Sequence, residues 1–177
     1  MRSIADANVP VAVLTGNRDF LMGERFTQAA GARLLSEQIV IDVAGTPTLL
    51  LHGDTLCTED TRYQALRSKL RSRWRQRLFL LQPLWLRRAE INRVRVMSER
   101  AKQAKSAEIM DVTPGAVTQA FRESGCTRMI HGHTHRPAHH THIVNGRTCE
   151  RWVLSDWYHH GQYLRAGPDG YTRVDLA

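Results

Sequence analysis

Short apolar runs and long helical stretches divide the chain into blocks. Val9 to Thr15 reads as a buried strand, and the apolar-rich segment Phe20 to Ala30 predicts a helix ended near Gly31. Ile39 to Val43 and Thr48 to Leu51 follow as two strands joined through a turn at Gly45-Thr46-Pro47. From Asp60 to about Lys105 the period lengthens. Leu66, Leu70, Trp74 and Leu78 recur every four residues, and Phe79-Leu80-Leu81 and Pro83-Leu84-Trp85-Leu86 come next, which predicts a helical pair broken at Pro83. Thr113-Pro114 opens another helix, with a side-chain cap and proline at the first helical position, running through Phe121 to Gly125. Thr127 to Ile130 is a strand. Beyond Pro137 the pattern is β-rich: His140 to Val144, a turn at Asn145-Gly146, Thr148 to Leu154, Trp157 to Leu164 and Tyr171 to Val174. The expected architecture is one α/β domain over residues 1–177 with a helical insertion over about residues 60–108.

Candidate chemistry gathers where strands stop. Val11 to Thr15 ends in Gly16-Asn17-Arg18-Asp19, Thr48 to Leu51 ends in His52-Gly53-Asp54, and Met129-Ile130-His131 ends in Gly132-His133-Thr134-His135-Arg136-Pro137. Proteins of the α/β class collect site residues at the carboxyl edge of the sheet. Histidine is the commonest neutral nitrogen ligand for a transition metal, and two at alternate positions can straddle a binuclear centre. Alone, Gly-Asn is a turn and His-x-His a polar loop; together the three strand ends point to a metal site. Asn17 suits an oxygen ligand and Arg18 a phosphate clamp. His139, His140, His142, His159 and His160 lack motif context and are assigned to polar surface, and His131 to a supporting place behind the ligands.

The chain of 177 residues is long enough to bury a core. Cys57, Cys126 and Cys149 make an odd number without metal-finger spacing, so free thiols in a reducing compartment are expected. The amino-terminal residues lack the basic-then-apolar pattern of a secretion signal. A formal charge of +8 suits nucleic acid, an anionic membrane or a phosphate-rich substrate, and the basic residues crowd between Arg62 and Lys105. The apolar stretch Leu78 to Leu86 is interrupted by Gln82 and Pro83 and is far shorter than the roughly 20 residues of a spanning helix. This helical segment is either an amphipathic hairpin with a solvated arginine face or a surface for acyl chains and anionic headgroups.

The strand-end motifs resemble those of the calcineurin-like metallophosphoesterases, which read Gly-Asn-x-(Asp/Glu), Gly-His and Gly-His-x-His. Agreement extends through Gly16 to Leu21, His52 to Thr58, Ile109-Met110-Asp111-Val112 and His131 to Pro137, and there the chain is similar to the UDP-2,3-diacylglucosamine pyrophosphohydrolases of lipid A biosynthesis. The resemblance implies a β-sandwich flanked by helices with an inserted helical cap, the strands beyond Pro137 forming its second sheet. It also implies two Mn2+ ions, one held by Asn17, His52 and His133 and the other by His135 with an Asp-x-His segment. By the same carry-over Asn17, Arg18, His52 and His133 are catalytic. Substrate contacts fall on Asn17, Arg18, Asp60, Ser98, Lys102, Lys105 and His133, with Lys102 departing from the family's usual asparagine. The implied reaction splits the diphosphate of UDP-2,3-diacylglucosamine to UMP and 2,3-diacylglucosamine 1-phosphate, by a protein peripherally bound to the cytoplasmic face of the inner membrane and with no nucleic acid involved. Leu78, Phe79, Trp85 and Leu86 are the candidate lipid contacts.

The family carries Asp-x-His and then Gly-Asp ahead of Gly-Asn-x-Asp, and Met1 to Pro10 contains neither. An N-terminally shortened chain is therefore expected, without the first strand or strands, with one metal site largely lost and with little or no activity alone. The competing readings are a metallophosphoesterase for another nucleotide or a phosphoprotein, and a non-catalytic membrane-surface or RNA-binding protein that uses the basic helices.

Overall fold

The computed structural model describes residues 1–103, 109, 111–158, 161–167 and 170–176. It divides into two compact units, Met1–Leu56 with Val112–Ala177, and Cys57–Asp111. The first unit begins with α1 (Arg2–Asp6), β1 (Val11–Val13), α2 (Glu24–Ala30), β2 (Ala32–Leu34), β3 (Gln38–Val43) and β4 (Thr46–Leu51), followed by a 3-10 turn at Asp54–Leu56. The second unit holds α3 (Thr61–Leu70), α4 (Arg73–Leu81) and α5 (Leu84–Gln103). The chain then returns to the first unit through α6 (Pro114–Ser124), β5 (Arg128–His131), β6 (Ala138–Val144), β7 (Arg147–Val153), β8 (Gln162–Gly167) and β9 (Gly170–Asp175).

Five strands form the main sheet in the order β3-β4-β5-β7-β6. Its three central strands are parallel, with Leu51, His131 and Val153 in register at their carboxyl ends, and the edge strands β3 and β6 are their antiparallel hairpin partners. Strands β1 and β2 form a separate parallel pair, and β8 and β9 a separate hairpin. Side chains alternate across a strand, so Leu49 and Leu51, Met129 and His131, and Cys149, Arg151 and Val153 share one face. There the core forms, with Val117 and Phe121 of α6 joining Leu49, Leu51, Leu56, Cys126, Met129, Val144 and Cys149. Each fully buried aliphatic or aromatic side chain contributes about 1.5–3 kcal/mol. On the other face the β8–β9 hairpin is held by aromatic contacts: Trp152 stacks on Tyr171 at 5.6 Å, and the Arg128 guanidinium lies 4.4 Å from the Tyr171 ring centre.

Several boundaries differ from the sequence expectations, each for a local reason. The helix expected from Phe20 starts only at Glu24, because Met22 N–H donates to Asp19 O at 2.8 Å to close a turn and Gly23 is extended. Its end at Gly31 is as expected, in the left-handed region. The hairpin turn is Ala44-Gly45, both at positive φ, instead of Gly45-Thr46-Pro47. Pro47 is therefore inside β4, tolerated because pairing with β5 begins only at Thr48. Strand β2, paired with β1, was not expected at all.

The helical pair is three helices, since the chain also breaks at Ser72, whose backbone is extended. The Thr113 hydroxyl does not cap α6; it donates to Leu56 O at 3.3 Å. Trp157 and Tyr158 form a bend, and the strand expected from Trp157 begins at Gln162. Strands β6 and β7 extend the sheet of β4 and β5, so they are not a second sheet. Among the described residues no helix is long and apolar enough to cross a membrane.

Candidate active site

The parallel centre of the sheet delivers three loops to one edge. After β4 comes His52-Gly53, after β5 comes Gly132 to His135, and after β7 comes Leu154 to Asp156, and the loops are tied by Gly132 N–H donating to His52 O at 3.0 Å and Leu154 N–H to His131 O at 2.7 Å. The Gly16-Asn17 loop joins them because Gly16 is bare: a Cβ there would fall 2.6 Å from His52 Cε1. Gly53 plays the same part on the other side. It sits at φ +111, and a Cβ on it would lie 2.7 Å from His131 Nδ1. The Asp19 carboxylate accepts from Gly16 N–H and braces the Gly-Asn turn, a role the motif alone did not assign.

This packing brings His52 and His133 together. His133 Nδ1 lies 3.2 Å from His52 Nε2, with the rings edge to face at 5.0 Å between centres. With no cation one nitrogen donates and the other accepts; the separation is also that of two nitrogens each about 2.1 Å from one shared cation. His133 itself is at φ +68, at the centre of a three-residue turn in which Thr134 N–H donates to Gly132 O at 2.8 Å. Such turns are rare and strained in L-residues, and the surroundings must hold them. Asn17 follows Gly16 directly and is half-buried, while Arg18 is exposed.

His135, also at positive φ, turns instead to Asp156, with Nδ1 3.0 Å from Oδ2. A carboxylate accepting from Nδ1–H leaves the Nε2 lone pair available to a ligand. Among the described residues no three His, Cys, Asp or Glu side chains converge closely enough to hold a metal, and what the structure shows is the imidazole pair His52–His133.

Asp60 and Ser98 belong to the second unit. The Asp60 side chain caps α3 by accepting from Tyr63 N–H at 3.0 Å, and Ser98 is exposed on α5. The side chain of Lys102, and Lys105, His159 and His160 altogether, lie outside the described residues. Of the expected lipid contacts, Leu78, Trp85 and Leu86 are exposed and Phe79 is half-buried.

Behind the histidine pair lies a buried polar group that no motif predicted in full. His131 is indeed within the fold, 1% exposed. Its Nδ1 is 2.9 Å from Gly132 O, and its Nε2 is 3.0 Å from Arg151 Nη1. Arg151 Nε also donates to His142 Nε2 at 3.3 Å. His142 is therefore not simple polar surface. It is half-buried beside Phe121, and desolvation, with the Arg151 and His140 charges adding to it, pushes its pKa below the ordinary 6.5. His139, though exposed, stacks on Trp152 at 4.2 Å. The available sequence signal for Arg151 was its position: in a strand alternating Cys149, Arg151, Val153, it is a cation on the inward face.

No protein-family model matches the chain. Curated relatives do. The UDP-2,3-diacylglucosamine hydrolase of Aromatoleum aromaticum is 47% identical over 171 residues, covering 95% of this chain and 70% of the relative. That of Photobacterium profundum is 47% identical over 169 residues, covering 96% and 69%, and that of Xanthomonas axonopodis pv. citri is 45% identical over 184 residues, covering 100% and 74%. These relatives are hydrolases, one class throughout. The chain belongs to the UDP-2,3-diacylglucosamine hydrolase family, as its strand-end motifs suggested.

Proposed function

We propose that this protein hydrolyses the diphosphate of UDP-2,3-diacylglucosamine in lipid A biosynthesis. Water adds at the α-phosphorus, the bond to the bridging oxygen breaks, and UMP and 2,3-diacylglucosamine 1-phosphate are released with a proton. Beyond the family, the observation that carries the reading is the His52–His133 pair, held at 3.2 Å where three strand-end loops converge.

Asn17, His52 and His133 would hold one divalent cation, with Mn2+ the expected ion for a mixed nitrogen and oxygen shell. His135, oriented by Asp156, would serve a second. Bound cations supply the Lewis acidity that stabilises charge on the phosphoryl oxygens. The chain's own part is to position. Arg18, exposed on the Gly-Asn loop, offers a planar guanidinium for a bidentate grip on phosphate, and the loop glycines keep the two imidazoles against each other. In the helical unit, Trp74, Leu78, Leu81 and Trp85 are more than half exposed, interleaved with arginines. This composition supports a surface for acyl chains and for the anionic face of the inner membrane. The parallel sheet edge and its motifs also support the calcineurin-like fold.

The test is UMP release from UDP-2,3-diacylglucosamine with added Mn2+. It is run on this chain and on a version extended upstream with the family's Asp-x-His and Gly-Asp segments. UMP release, and its loss in His52→Ala, are expected. Release by neither chain would overturn the reading.

A further inference from the structure

Arg151 is 7% exposed, on the inward face of β7, and its guanidinium points at two imidazoles. A cation is costly to bury unless its donors are matched. A guanidinium has no acceptor to offer, so the nitrogen it meets at 3.0 Å, His131 Nε2, must carry a lone pair. The proton of neutral His131 is therefore on Nδ1, where it donates to Gly132 O at 2.9 Å. That same carbonyl oxygen accepts Thr134 N–H at 2.8 Å in the strained turn centred on His133. The Gly132 carbonyl belongs to the peptide bond whose nitrogen is His133's own, so holding it fixes the plane from which His133 departs at positive φ. Gly53, with no Cβ to collide with His131 Nδ1, lets the ring reach that position from the His52 side.

We infer that Arg151 is a positioning residue for the hydrolytic centre: through His131 it locks the Gly132–His133 peptide and with it the imidazole that faces His52. This rests on the hydrolase reading of the site. Arg151, 7% exposed on the inward face of β7, acts through a fixed tautomer and a shared carbonyl acceptor. Outer partners of this kind typically change activity or metal affinity by about 10- to 100-fold when removed.

The test has a spectroscopic arm and a kinetic arm. In the metal-free protein labelled with 15N-histidine, long-range proton–nitrogen correlations of the His131 ring, assigned with His131→Gln, should show a neutral ring protonated on Nδ1. In Arg151→Gln the ring should pass to a mixture of tautomers. In the chain that releases UMP, Arg151→Gln should lower kcat by about 10- to 100-fold with KM within about threefold. Arg151→Lys, whose ammonium is a point donor unable to span both imidazoles, should fall between. A wild-type ring protonated on Nε2, or Arg151→Gln with tautomer and kcat unchanged, would overturn the inference. If Arg151→Gln does not fold, the wild-type spectrum and Arg151→Lys decide. If no chain releases UMP, the hydrolase reading fails and the ring spectrum still decides the lock.

Discussion

At Gly16 and Gly53 the space for a Cβ is already filled by an imidazole, and Gly115, near the start of α6, meets nothing within 4 Å. The three give a graded test. Gly16→Ala must displace the His52 ring, so Mn2+ binding measured by calorimetry should weaken about tenfold or more, with a smaller effect on thermal stability. Gly53→Ala adds backbone strain to the collision with His131 and should cost about 1–3 kcal/mol in a denaturant titration. Gly115→Ala should be stabilising by up to about 1 kcal/mol.

His142 gives a pH test at the same scale. Its pKa is lowered in the folded protein from the ordinary 6.5, chiefly by burial. Between the lowered value and 6.5 the unfolded chain binds more protons, so stability rises with pH through that window. The contribution is complete above 6.5 and lost as pH falls. The melting temperature of wild type should therefore drop more steeply below pH 6.5 than that of His142→Leu; parallel slopes would refute the assignment. At this scale the meeting of His52 and His133 was legible because each follows a strand beside a glycine. Asp156 was not, because its partner His135 is paired only by the side-by-side alignment of β5 and β7.

Among the elements, helix termini and core faces carry the separable effects. Asp60 both caps α3 and falls on an expected substrate contact, and asparagine caps as well as aspartate. Asp60→Asn should keep stability within about 0.5 kcal/mol while Asp60→Ala loses about 1 kcal/mol; a substrate role for the charge would raise KM in both. Phe121, 2% exposed on the core face of α6, should cost about 3–5 kcal/mol as Phe121→Ala, read from chemical denaturation. Most elements were visible as hydrophobic pattern, and the misplaced ones have physical causes. The four-residue spacing from Leu66 to Leu78 continues straight through the break at Ser72, where neither glycine nor proline announces a stop. Pro47 suggested a turn because its edge-permitted place in β4 depends on where β5 begins.

Over the whole molecule, charge and topology are the features that sequence conveys unequally. Cys57–Asp111 holds fourteen Lys and Arg against six Asp and Glu, so the entire formal charge of +8 resides in the helical unit while the remainder balances at eleven of each. Binding to vesicles containing anionic phospholipid should accordingly exceed binding to neutral ones. It should fall as salt shortens the Debye length from about 10 Å at 0.1 M to about 3 Å at 1 M. Equal binding to both vesicle types would remove the membrane role. That segregation could be read from composition. The return of β6 and β7 to the first sheet could not, because the parallel pairing of β5 with β7 is a choice between distant segments and leaves no local trace.

Parallel pairing of β4 with β5 also means that His52 and His133 meet only after the chain has closed a loop containing all of Cys57–Asp111. Closing such a loop grows costlier only logarithmically with its length, and doubling it adds about 0.6 kcal/mol. The helical segment can thus be lengthened, shortened or recomposed through evolution at little expense to the histidine pair. Change in the helical segment and preservation of the histidine pair become nearly independent inheritable traits.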